Sequence, residues 1–185
     1  LTETVVVRPN GDYGPNEWQH REVEPPVGEV YTLINEPLGD EPSGGFLQAG
    51  KDDDIDEEYF HMDGHRNVRI ISRVELFSYG LYETGTEPPL TWSIFGNIYF
   101  NGGWLSQKTI QFLDGVYSWV SVEWAGLTGY SSDMIDLAIN YIAPYGMGAL
   151  EYMRVQSSYC EVDILYHNHK NINRHINRGI NGMVN

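Results

Sequence analysis

Across residues 67–166 apolar and polar side chains alternate with a period of two, and no other feature of the chain restricts its fold as much. Successive side chains of an extended strand point to opposite sides, so this spacing builds strands with one buried face, whereas a helix needs a repeat near 3.6. From Val68 to Leu76 one side carries Val68, Ile70, Val74 and Leu76, and the other carries Arg69, Arg73 and Glu75. Trp92, Ile94, Ile98 and Phe100 alternate in the same way, with Gly96 as a bulge or a point of close approach. Asn101-Gly102-Gly103 reads as a turn.

The segment from Leu105 to Leu113 reads as a weaker strand at an edge, because Gln107, Lys108 and Gln111 interrupt it, and Asp114-Gly115 ends it. Val116, Val120, Val122 and Trp124 then share one side of a strand, opposite Tyr117, Trp119 and Glu123. A further strand runs from Tyr159 to Tyr166, with Cys160, Val162 and Ile164 inward and Glu161 and Asp163 outward. That phase makes Cys160 a small core residue rather than a reactive thiol. Residues 131–136 read as a short helix, capped by Ser131 or Ser132, followed by a strand through Leu137, Ile139 and Tyr141.

Thr4 to Pro9 reads as an opening strand and Val30 to Ile34 as another. With 20 Gly and 9 Pro among many short strands, the expected fold is all-β, an antiparallel two-sheet β-sandwich of jelly-roll kind with one short helix. The expected organisation is one sandwich domain over residues 1–166, with an irregular acidic insertion at about residues 36–64, and residues 167–185 as a C-terminal arm or linker.

Charge narrows the partners. Lys and Arg number 11 against 26 Asp and Glu, a formal charge of −15, so duplex nucleic acid is not an expected partner. Residues 1–64 carry −13 and residues 167–185 carry +3, an asymmetry suited to contact between copies. No apolar run reaches the roughly 18 residues of a membrane span, and no leader peptide is expected from the first residues.

The Asp-rich run Lys51 to Glu58 offers Asp52, Asp54 and Asp56 as candidate calcium ligands, since alternating carboxylates suit a hard divalent ion. It is not an EF-hand: Glu57 stands where that loop needs Gly, and Asp63 where it needs Glu. If the run binds calcium, the melting temperature rises with the ion; a solvated acidic loop gives no response. His61 and His65 flank Asp63 beside Gly64, a turn-like setting, and no Glu follows His61 as a metalloprotease would need. No nucleophile elbow or phosphate loop occurs, so no catalytic residues are assigned and no cofactor is required beyond candidate calcium.

Aromatic residues are the richer signal. Tyr99, Trp104, Tyr117 and Trp119 lie on strands or turns where they would form a sugar-stacking platform, or else serve as core or as the apolar centre of a subunit interface. In the tail, Ile172, Ile176 and Ile180 recur every fourth residue beside Arg174 and Arg178, a pattern suited to an arm that orders on an acidic neighbour.

Arg8-Pro9-Asn10-Gly11-Asp12-Tyr13 followed by Trp18, then Tyr31-Thr32-Leu33-Ile34-Asn35-Glu36 and the Asp-rich run ending in Tyr59, resemble a β-sandwich module of tailed-phage structural proteins and related extracellular surface proteins. Val68 to Tyr79, Trp124 before residues 133–139, and Met153-Arg154-Val155 leading to Tyr166 extend the resemblance over roughly residues 4–166. It departs at Pro37 to Lys51 and after Tyr166. The resemblance implies a noncatalytic jelly-roll-like module, in some cases tied to carbohydrate attachment. The expected role is therefore a structural subunit of a virion, in capsid or tail, or of an extracellular filament. Its partners would be copies of itself or other surface subunits. The alternative is a carbohydrate-binding attachment module for a surface glycan, and a polysaccharide-degrading enzyme is more distant.

Overall fold

In the computed structural model the described residues are 2–16, 19–21, 29–35, 45–49, 57–63, 68–83, 94–100, 103–129, 137–142 and 152–166. They form twelve strands: β1 (Glu3–Val7), β2 (Pro9–Asn16), β3 (Gln19–Arg21), β4 (Phe46–Ala49), β5 (Glu57–Met62), β6 (Val68–Glu83), β7 (Ile94–Phe100), β8 (Gly103–Trp104), β9 (Lys108–Ile110), β10 (Ser118–Gly129), β11 (Leu137–Ile142) and β12 (Tyr152–Tyr166). One sheet has the order β10-β6-β12-β4-β3, with β1 also on β12, and the other has β2-β5-β11-β7-β8, with β9 also on β7. Counting β4, β5, β6, β7, β9, β10, β11 and β12 as strands one to eight, the first sheet contains 1-8-3-6 and the second 2-7-4-5. That is the jelly-roll order, and every strand pairing in both sheets is antiparallel.

The inward sides of the strands supply the core. Val74, Leu76, Val155, Cys160, Val162 and Ile164 come from the first sheet, and Phe60, Ile98, Ile139 and Tyr141 from the second, all buried. Full burial of a side chain such as Phe60 is worth about 1.5–3 kcal/mol, which is why the alternation predicts the strands well. Among the described residues, polar ties cross between the sheets at two places. The Tyr141 hydroxyl on β11 bonds Ser78 Oγ on β6 at 2.5 Å and Ser158 Oγ on β12. Trp124 Nε1 on β10 donates to the Ser106 carbonyl, between β8 and β9, at 2.8 Å. Gly96 is a close approach and not a bulge: its pairing with β11 is in continuous register, and a Cβ there would lie 2.7 Å from Ile110 Cδ1.

Four expectations need correction. Residues Val30 to Ile34 are not a strand, because Val30–Leu33 forms a 3-10 helix. The Asp12 carboxylate on β2 accepts the Val30 and Tyr31 N–H groups at 3.0 and 2.9 Å, and this cap from a distant strand overrides the local β preference. The expected irregular insertion contains β4 whole and all of β5, with Phe46, Leu47, Gln48 and Ala49 buried between β12 and β3. A strand covered on both sides lacks the alternation by which strands are recognised.

On β6 the inward residue is Ile71, not Ile70. The register against β12 slips between Arg73 paired with Asp163 and Ile71 paired with Ile164, and such a one-residue slip exchanges the faces. The strand expected from Leu105 to Leu113 shrinks to Lys108–Ile110. Its flanks are spent elsewhere: Leu105 N–H donates to the Ile98 carbonyl, and Leu113 forms an isolated bridge to Val116. The helix expected at 131–136, the 101–102 turn and Trp92 lie outside the described residues.

Candidate functional site

Each sheet turns one side to the core and one away from it, and the outward sides hold the functional groups. On the first sheet, the register sets Trp119 beside Tyr79, Phe77 beside Tyr159, and Glu75 between Glu123 and Glu161. The rings join into a ribbon. Phe77 stacks on Tyr159 with centroids 4.7 Å apart, Trp119 meets Tyr159 at 5.4 Å and Tyr79 at 5.2 Å, and Tyr79 stacks on Tyr117 at 5.5 Å. Trp119 keeps 43 % of its surface exposed at the ribbon's outer side.

Below the ribbon lies a charged cluster. Arg73 Nε donates to Glu123 Oε2 at 2.6 Å, and the same guanidinium pairs with Glu75 and stands 3.6 Å from Asp163. Ser121 Oγ donates to Glu75 Oε1 at 2.7 Å, and Thr4 Oγ1 donates to Asp163 Oδ1 at 2.6 Å. The Glu123 hydrogen bond, with help from Glu75 and Asp163 and against the effect of burial, raises the Arg73 pKa above its ordinary value. Burial first, then Glu161 and Glu75, push the Tyr159 phenol up. Arg73, Glu75, Glu123, Asp163, Ser121 and Thr4 thus satisfy one another beside the rings.

The outward side of the second sheet is built differently. Its register places His61, Ala138, Tyr99 and Trp104 in one row across four strands, and Tyr59, Asn140 and Asn97 in the next. Trp104 meets Tyr99 and Tyr59 edge-on, both with centroids at 5.5 Å. Tyr59 sits on β5 and Trp104 on β8, so rings that touch must meet above the two strands between them, β11 and β7. They form a roof over Ala138, Asn97 and Asn140, all buried, while Trp104 is 39 % exposed. Asn97 Oδ1 accepts the Ile98 N–H at 2.8 Å, but the buried Asn140 Oδ1 has no hydrogen-bond partner among the described residues. An unmet buried acceptor of this kind costs about 1–3 kcal/mol.

The four aromatic residues singled out by the sequence therefore do not make one platform. Tyr117 and Trp119 are on one outward face, and Tyr99 and Trp104 on the other. None of the four is core, which takes Trp124, Tyr82 and Tyr141 instead. Sequence reasoning missed their neighbours Phe77, Tyr79, Tyr159, Tyr59, Asn97 and Asn140. Phase alone would have found Phe77 and Tyr79, since they continue the outward series of Arg73 and Glu75; the others require the pairing register. Cys160 is buried as expected, and burial pushes its thiol pKa up, away from a reactive thiolate. The buried hydroxyl cluster is equally unsuited to nucleophilic work, because burial raises the Tyr141 phenol despite its bonds to Ser158 and Ser78.

Asp52, Asp54 and Asp56, His65, and the arm residues Ile172, Arg174, Ile176, Arg178 and Ile180 lie outside the described residues. Among the described residues no three His, Cys, Asp or Glu side chains are grouped to hold a metal ion, and no helix is long and apolar enough to cross a membrane.

No protein-family model matches the chain, and no curated protein matches its sequence. Among solved structures it is similar to a family 16 carbohydrate-binding module, with 11 % identity and a TM-score of 0.39 over 64 % of this chain and 77 % of that one. It is similar to the module TmCBM61, solved with β-1,4-galactotriose, with 12 % identity and a TM-score of 0.38 over 83 % and 86 %. A third likeness is to an infectious bursal disease virus protein, with 8 % identity and a TM-score of 0.44; it covers 91 % of this chain but 33 % of the viral one. The jelly-roll assignment stands on the strand order itself.

Proposed function

We propose that this chain is a noncatalytic binding module that takes a glycan on the outward face of its first sheet. The observation that carries this reading is the ribbon Phe77, Tyr159, Trp119, Tyr79 and Tyr117, preassembled and with the half-exposed Trp119 at its centre. Pyranose rings present C–H faces that lie against aromatic rings, and the carboxylates of Glu75, Glu123 and Glu161 next to the ribbon accept hydrogen bonds from sugar hydroxyls. Rigid rings already in contact lose little side-chain entropy on binding, which favours a platform of this kind. Titration of tryptophan fluorescence with a panel of soluble polysaccharides tests it. Saturable quenching is expected from the native protein and a smaller amplitude from Trp119→Ala; absence of any response across the panel sinks the reading.

A second reading, a structural subunit of a virion or extracellular filament, draws on a different observation. Val6, Leu113, Val116, Trp104 and Trp119 are large apolar side chains left exposed, and surfaces of this kind are covered in assemblies. On this reading sedimentation velocity shows particles well above 21.1 kDa that dissociate in Trp119→Ala or on removal of residues 167–185. A monomer at high concentration excludes it.

A further inference from the structure

We propose that the outward face of the second sheet is a second site for a neutral glycan, so that one chain bridges two glycan strands. The inference rests on the glycan reading and extends it to a face that reading does not use. In a sandwich the outward sides of the two sheets point in opposite directions, so the Trp119 ribbon and the Tyr59, Tyr99 and Trp104 cluster cannot contact the same short stretch of ligand.

The chemistry beneath the second cluster is that of a ligand site. Asn140 is 4 % exposed, and its Oδ1 is an acceptor with no partner among the described residues. Its cross-strand neighbour Asn97 spends its own carbonyl on the Ile98 N–H, which leaves amide N–H groups to donate. An acceptor and a donor on directly paired residues, whose Cβ atoms stand about 5 Å apart, suit two adjacent hydroxyls of a pyranose, each of which donates and accepts. The rings of Tyr59, Tyr99 and Trp104 supply the stacking surface. Trp104 closes the face from β8, a two-residue edge strand, so displacement of its ring uncovers Asn140 for the ligand. Uncharged amides, and a chain of net charge −15, select a neutral glycan over an anionic one.

Calorimetry with neutral hexasaccharides of glucan, xylan and galactan type, and turbidity with the matching long polysaccharides, test the proposal on the full chain. The native protein is expected to bind two oligosaccharides and to cross-link the polymer. Trp104→Ala and Asn140→Ala each remove one site, with at least a tenfold weaker affinity there, and abolish cross-linking while the Trp119 site persists. Asn140→Ala must do so while the protein still unfolds in one cooperative thermal transition; this separates ligand binding from misfolding. One site that is lost in Trp119→Ala and unchanged in Trp104→Ala and Asn140→Ala overturns the second site and leaves the proposed function standing. No binding by the native protein overturns both.

Discussion

The two outward faces both carry contacting rings but treat their polar groups in opposite ways. On the first sheet Arg73 engages Glu75, Glu123 and Asp163, and Ser121 and Thr4 complete the cluster, so the face satisfies its own polar groups. On the second sheet Asn140 keeps a buried acceptor unmet beneath a roof of rings. A self-satisfied face is rigid and ready-made, whereas a face with an unmet group has something to gain from a partner. The difference follows from composition: charges pair across strands on the first face, while Asn140 stands between Tyr59 and Asn97, neither of them charged.

The largest expected effect compares the two sheets through their glycines. A Cβ on Gly80 in β6 would stand 2.3 Å from the Arg154 carbonyl, which is backbone, and 2.6 Å from Phe112 Cζ. On Gly96 in β7 it would meet only side-chain ends, Ile110 Cδ1 at 2.7 Å and Leu76 Cδ2 at 3.3 Å. Gly80→Ala should therefore cost about 3 kcal/mol and Gly96→Ala about 1 kcal/mol, read from urea midpoints. Equal costs would mean that β6 and β12 can move apart as easily as a side chain turns.

Next comes the tie between the sheets. Tyr141→Phe removes the hydroxyl shared with Ser78 and Ser158 and should lower stability by about 1–2 kcal/mol at neutral pH. Burial holds the folded Tyr141 pKa above the ordinary value of 10.0, so both states are neutral below that value and their difference is unaffected by pH. As pH rises past it, the unfolded chain releases the proton and the folded chain keeps it, so stability falls. Denaturation at about pH 8 and about pH 11 should show a smaller alkaline loss in Tyr141→Phe than in the native protein. An unchanged slope would place the alkaline sensitivity in other tyrosines, such as Tyr159.

Smaller still is the ion cluster. Arg73→Met leaves three carboxylates without their shared cation and should cost about 1 kcal/mol, less in high salt, because the guanidinium is partly exposed. The smallest effect has the opposite sign. Asn140→Ala should be neutral or stabilising by up to about 1 kcal/mol, seen as an unchanged or raised melting temperature. If Arg73→Met costs nothing and Asn140→Ala destabilises, the contrast between the two faces is reversed.

Much of the architecture was legible because one face of most strands is buried and the other is not. The inward series Cys160, Val162, Ile164 and the outward pair Glu161 and Asp163 were visible in the alternation and lie as expected. Where that asymmetry fails, the sequence is silent. Phe46–Ala49 is covered on both sides and shows no period, and Val30–Leu33 has β-branched character but is held as a 3-10 helix by Asp12. The slip that brings Ile71 inward arises from pairing with β12, which no local pattern records.

The candidate site divides in the same way. Chain composition and phase alone determined an all-β sandwich and set Trp119 on the strand side opposite Val120, Val122 and Trp124, because both depend on how each residue meets water. Only the tertiary structure decided which rings meet. It set Tyr117 and Trp119 with Tyr79, and Tyr99 and Trp104 with Tyr59, on opposite sides of the molecule. Partners across strands are chosen by register and sheet order, which are properties of contacts between distant segments, and so the position of Asn140 under its roof could not be read along the chain.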